Sequence, residues 1–142
     1  MLLRHAFLAA FLALIPVSCA PQFESDLPKV AARYGLDYDQ MLSRARRTHE
    51  GLRGYFLLVE IVDGGPAEEY SGELAKLLEF WGEPAFLKAV ESVVPVLRRQ
   101  VLGSLAYEGG YGENERAWRE FSAAYPRIAA CIAREMPEDR NP

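Results

Sequence analysis

The stretch Leu52 to Val62, LRGYFLLVEIV, decides what this chain can fold into. Its β-branched and aromatic content suits a strand as well as a helix. A strand needs a partner, because an unpaired extended segment leaves its backbone donors and acceptors without hydrogen bonds. The only other β-rich run, Val93-Val94-Pro95-Val96, is broken by a proline that cannot donate to a ladder. Leu52 to Val62 is therefore expected to be helical. It is so apolar on nearly every side that it should form the central buried element, ended by Asp63-Gly64-Gly65.

The rest of the chain repeats one theme: apolar residues at three- and four-residue steps, punctuated by proline and glycine. Ser25-Asp26 supplies cap chemistry for a short helix that Gly35 stops, and Asp37 or Asp39 caps the next, which runs to Leu52. Pro66 opens the clearest amphipathic helix, with Glu68 and Glu69 in its first turn and a stripe from Tyr70 to Trp81. Shorter helices follow over Glu83 to Glu91, from Pro95 to Leu105, over Glu115 to Ala124, and from Pro126 to Met136. The expectation is an all-α fold: a compact bundle of about eight short helices over residues 26–136, with a tail at 137–142. Successive antiparallel pairs could stack like a brief solenoid, although no fixed-period self-similarity marks a repeat array.

Composition narrows the function classes. The 142 residues are 50% hydrophobic and 25% charged, with net charge −4, which describes one globular domain able to fold without disulfides or metals. An acidic body carries no electrostatic footprint for nucleic acid or anionic lipid. Metal-ligand spacing is missing too, with no CxxC, HExxH or Asp-rich calcium loop, and no cofactor or metal is expected. His49 and Cys131 lie on apolar helical stripes, where packing is the expected role of each. No serine sits in a GxSxG turn, and Gly109-Gly110-Tyr111-Gly112 lacks the Lys-Ser/Thr of a phosphate loop.

The N-terminus carries an address. Arg4 and His5 precede an unbroken apolar run from Ala6 to Ile15, too short to span a bilayer but suited to an export signal, and Pro16 ends any helix there. Val17-Ser18-Cys19 resembles a bacterial lipobox, with Pro16 where that family usually has leucine. The resemblance implies cleavage after residue 18 and lipidation of Cys19, followed by a short linker at 19–25. Ser18-Cys19-Ala20 also has the small residues of an ordinary cleavage after residue 20. Either cut leaves the chain exported, and a lipidated Cys19 would anchor it at the membrane of the cell envelope.

Two internal stretches resemble functional motifs. Val30 to Arg47 is similar to a helix-turn-helix, yet an exported acidic protein meets no DNA, and the same spacing describes any short αα-hairpin. Tyr34-Gly35-Leu36-Asp37, followed by a helix reaching Glu50-Gly51, resembles the opening of soluble lytic transglycosylases. Ala106-Tyr107-Glu108-Gly109-Gly110 with Trp118 resembles that family's later Ala-Tyr-Asn-Ala-Gly segment. The resemblance implies peptidoglycan cleavage with Glu50 as general acid/base. Gly51 stands where the family has serine, and Glu108 where it has asparagine.

Two further features remain. Glu60 interrupts the apolar run and should either pair with Arg98 or Arg99 or mark the wet side of its helix. The Tyr107–Asn114 loop, with Tyr107 and Tyr111 among glycines, is either a binding loop or a connector using glycine for positive φ. The leading functional expectation is an exported, lipid-anchored helical module without a catalytic site that contacts a protein partner in the envelope. The alternatives are the Glu50 enzyme and a small inhibitor of an envelope enzyme.

Overall fold

The computed structural model describes residues 26–137. The expected signal segment (1–18 or 1–20), Cys19 with its 19–25 linker, and residues 138–142 of the expected tail lie outside the described residues. Within them, eight α-helices and one 3₁₀ turn follow one another without a strand. The helices are α1 (Leu27–Arg33), α2 (Tyr38–Ala45), α3 (His49–Phe56), α4 (Gly64–Trp81), α5 (Glu83–Glu91), α6 (Pro95–Glu108), α7 (Glu115–Ala124) and α8 (Pro126–Glu135). The 3₁₀ turn, Leu57–Glu60, joins α3 to α4.

Helix α4 is the spine. Its Tyr70, Leu74, Leu77 and Leu78 are fully buried, and they meet the equally buried Val101, Leu102 and Leu105 of α6. Helix α6 in turn packs on α8, while α1 reaches α4 and α5 reaches α8. Together these contacts make a compact bundle around α4 and α6.

Several boundaries differ from expectation, each for a local reason. The helix expected to run from Asp37 or Asp39 to Leu52 breaks at Arg46–Thr48, because Thr48 turns extended and caps a new helix, its Oγ1 accepting from the Gly51 amide at 2.9 Å. The expected Leu52 to Val62 helix ends at Phe56 and tightens into the 3₁₀ turn. Leu52, Tyr55, Phe56 and Leu58 are buried as expected, but Leu57 is 55% exposed, so one side of the segment is wet. Glu60 is exposed on that side, and Arg98 pairs instead with Glu135 of α8 at 3.2 Å. Helix α4 begins at Gly64, with Asp63 in the N-cap position, so Glu68 and Glu69 lie beyond its first turn.

Asp26 stands at the N-cap of α1 without a side-chain capping bond. The cap comes from α4: the Glu69 carboxylate accepts from the Asp26 and Leu27 amides at 3.0 to 3.3 Å. Glu83 does the same for α8, accepting from the Arg127 and Ile128 amides at 2.6 and 2.8 Å. An anion at a helix N-terminus satisfies otherwise orphaned donors and meets the positive end of the dipole. Two glutamates, Glu69 on α4 and Glu83 at the start of α5, thus pin the first and last helices.

Candidate functional site

Two grooves bring together the residues singled out in the sequence, and they keep them apart. The first lies between α2 and α3, has a volume of about 530 Å³, and is lined by Met41, Arg44, Thr48, Glu50, Gly51, Gly54 and Tyr55. The second lies between α4, α6 and the 3₁₀ turn, at about 440 Å³, and includes Val59, Ala67, Glu68, Gln100, Gly103 and Tyr107.

Glu50 is an exposed residue in the first turn of α3, on the edge of the first groove. Arg46, four residues before it, lies ahead of the break and reaches toward Glu73 of α4 at 4.0 Å. Gly51 sits where α3 crosses α2 so closely that a Cβ would overlap the Arg44 carbonyl group. The serine of the transglycosylase pattern therefore has no room here. Tyr107 and Glu108, from the later segment of that resemblance, are not among the residues around Glu50.

Tyr55, on the wall of the first groove, belongs to a chain of three buried tyrosines. The Tyr38 and Tyr55 hydroxyls are 3.3 Å apart, Tyr55 stacks on Tyr70 at 5.7 Å, and the Tyr70 hydroxyl donates to the Phe56 carbonyl at 3.2 Å. Burial pushes all three phenols above their usual range, and at Tyr55 the bond to Tyr38 adds to the rise. Neutral phenols with satisfied hydroxyls are core structure.

The expected roles of His49 and Cys131 are visible in their contacts. The His49 ring packs edge-on against Trp81 at 4.7 Å, and Trp81 Nε1 donates to the Ala45 carbonyl at 2.8 Å. Cys131 is buried and free, with Arg134 Nη2 3.5 Å from its Sγ. Among the described residues no group of three or more His, Cys, Asp or Glu side chains could hold a metal ion. No helix among them is long and apolar enough to cross a membrane.

The two tyrosines of the Tyr107–Asn114 segment part company. Gly110, at φ 74°, ends α6: its amide bonds the Tyr107 carbonyl while the Tyr111 amide bonds the Ala106 carbonyl. Asn114 then caps α7 through the Ala117 amide at 3.0 Å. Tyr111 is buried, edge-on to Trp118 at 4.7 Å, its hydroxyl donating to the Met136 carbonyl at 3.1 Å. Tyr107 is 52% exposed on the last turn of α6 and lines the second groove together with Glu68 of α4. The charge of the Glu68 carboxylate, with smaller contributions from Glu113 and Glu108, pushes the Tyr107 hydroxyl above its usual range.

Sequence reading found Tyr107 but not its neighbours Val59, Glu68 and Gln100, which come from three different elements. The usable signal was small residues on two helices, Gly64, Ala67 and Ser71 on α4 with Gly103 and Ser104 on α6, marking where the pair would leave an open surface channel. No family model matches the chain, and neither a curated protein nor a solved structure matches it.

Proposed function

We propose that this chain is an exported helical module, anchored through a lipidated Cys19, that holds a protein partner of the cell envelope in the groove between α4 and α6. The observation that supports this reading is Tyr107. It is a large aromatic left half in water on the wall of an open groove, where it offers rigid contact area at low entropic cost. The N-terminal run and the Val17-Ser18-Cys19 sequence support the address.

A second reading, peptidoglycan cleavage by Glu50, draws on the groove beside that residue. It ranks below the first because a general acid works from a desolvated site, and Glu50 is exposed. Tyr107 and Glu108 line no part of its groove.

The test is site-specific photo-crosslinking in the envelope. A photoreactive phenylalanine at position 107 should give one discrete adduct that the same probe at position 50 does not. A Cys19→Ala variant should leave the membrane fraction and lose the acyl mass. Adducts at position 50 alone, with muropeptide release abolished by Glu50→Gln, would reverse the order of the two readings.

A further inference from the structure

The net negative charge of the chain is unevenly spread. Residues 26–53 carry six basic against four acidic side chains, whereas residues 54–137 carry eight against thirteen. The basic end is also the end nearest Cys19. Asp26 follows Cys19 by seven residues, a length of chain that spans at most about 25 Å.

Helix α1, the first element after that tether, has two unlike faces. Leu27 and Ala31 are buried against the bundle, while Pro28, Lys29, Ala32 and Arg33 are exposed at the spacing of one helical face. Lys29 bonds Asp26 at the N-cap at 3.2 Å, and Arg33 pairs with no carboxylate among the described residues. The exposed face runs on into the turn that Gly35 makes at φ 71°, where Tyr34 is 62% and Leu36 38% exposed. From Leu27 to Leu36 the chain thus shows solvent two cations, an aromatic ring and a leucine, and it contains no acidic residue.

That combination suits a headgroup layer. Lys and Arg reach anionic phosphates while their stems, and a tyrosine ring beside them, lie at interfacial depth. Helix α1 is seven residues long, about 10 Å, so all of it lies within reach of the surface that would hold the acyl chains. A protein partner has no such tether to this face, and a lipid anchor gains from a second, basic contact with the same membrane.

The position of α1 also sets where the α4–α6 groove points. Glu69 of α4 caps α1, and Glu69 is two positions from both Ala67 and Ser71 of the groove wall. At about 100° per residue, that spacing puts α1 and the groove on opposite sides of α4.

We propose that the outer face of α1 and the Tyr34–Leu36 turn lie on the anionic headgroups of the membrane that holds Cys19, with the α4–α6 groove turned away from the bilayer. This rests on the reading of Cys19 as a lipid anchor and adds the orientation of the anchored domain.

The test uses the full lipidated chain, 15N-labelled, purified from membranes and placed in lipid nanodiscs that carry a gadolinium-chelating headgroup. Discs of phosphatidylcholine alone are compared with discs that also contain phosphatidylglycerol. In the anionic discs the amides of Ala32, Arg33 and Tyr34 should relax several-fold faster than those of Ala67 and Gly103. Raised salt should shrink that contrast, and so should Lys29→Gln combined with Arg33→Gln, with the thermal melt unchanged. Strongest relaxation at Ala67 and Gly103, or the same contrast in both kinds of disc, would overturn the proposal. If Cys19 carries the acyl mass and relaxation is uniform over the domain, the anchor stands and the orientation falls. If Cys19 carries no acyl mass, the anchor falls and the orientation falls with it.

Discussion

Gly51 and Arg44 meet backbone to backbone: a single carbon added at Gly51 would overlap the Arg44 carbonyl group. One turn further along the same helix, a carbon added at Gly54 would meet nothing. The two glycines therefore predict opposite outcomes. Gly51→Ala should destabilise the protein by about 2–4 kcal/mol, since neither backbone can yield without undoing the α2–α3 contact. Gly54→Ala should stabilise it by about 0.5–1 kcal/mol through helix propensity. Urea unfolding of both variants checks the pair, and equal effects would disprove the close approach.

The Glu83 carboxylate, at the start of α5, completes the N-terminus of α8 from more than forty residues away in sequence. Glu83→Ala should cost about 1–2 kcal/mol, the scale of a lost helix cap. Glu83→Gln retains an acceptor oxygen and should cost less. Amide exchange offers the sharper readout: protection at Arg127 and Ile128 should fall first in Glu83→Ala.

Tyr55 and Tyr70 tie stability to alkaline pH. Unfolded, a tyrosine loses its proton near pH 10. Folded, these two hold theirs to higher pH because burial disfavours the phenolate. Above about pH 10 the native state thus binds more protons than the unfolded chain, so stability is full below that pH and falls as pH rises. Tyr70→Phe should cost about 1 kcal/mol at neutral pH by removing the bond to the Phe56 carbonyl. It should also make the alkaline fall shallower, and thermal melts from pH 8 to 11 measure both.

Tyr107 and Tyr111 separate binding from folding. Tyr111→Ala should lose about 3–4 kcal/mol, because it empties a buried site and frees the Met136 carbonyl. Tyr107→Ala should change stability by less than about 0.5 kcal/mol, as an exposed residue at a helix end does. Circular dichroism melts give the comparison, and a large loss at Tyr107 would mean that its ring is structural.

Local grammar made most helices legible. Asp37, Thr48 and Asn114 each cap the helix that follows, and Gly35 and Gly110 adopt positive φ where helices stop. Thr48 was nevertheless missed as a boundary. Apolar residues continue at helical spacing on both sides of it, so periodicity masked a break that only the Thr48 cap reveals. The wet side of the Leu52 to Val62 segment was hidden for a related reason. Leu57 is apolar, so hydropathy concealed that it continues the exposed side marked by Arg53 four residues before it and Glu60 three residues after it.

By itself, the sequence determined the all-helical class, the glycine stops such as Gly35 and Gly110, and most of the apolar stripes that would be buried. These depend on residues within a turn or two of one another. Only the tertiary structure decided that Glu69 and Glu83 cap helices far from them, that Gly51 must remain side-chain-free, and that Tyr111 is buried while Tyr107 faces a groove. Each of these is a relation between elements brought together by packing around α4 and α6, and spacing along one helix carries no record of what will lie against it.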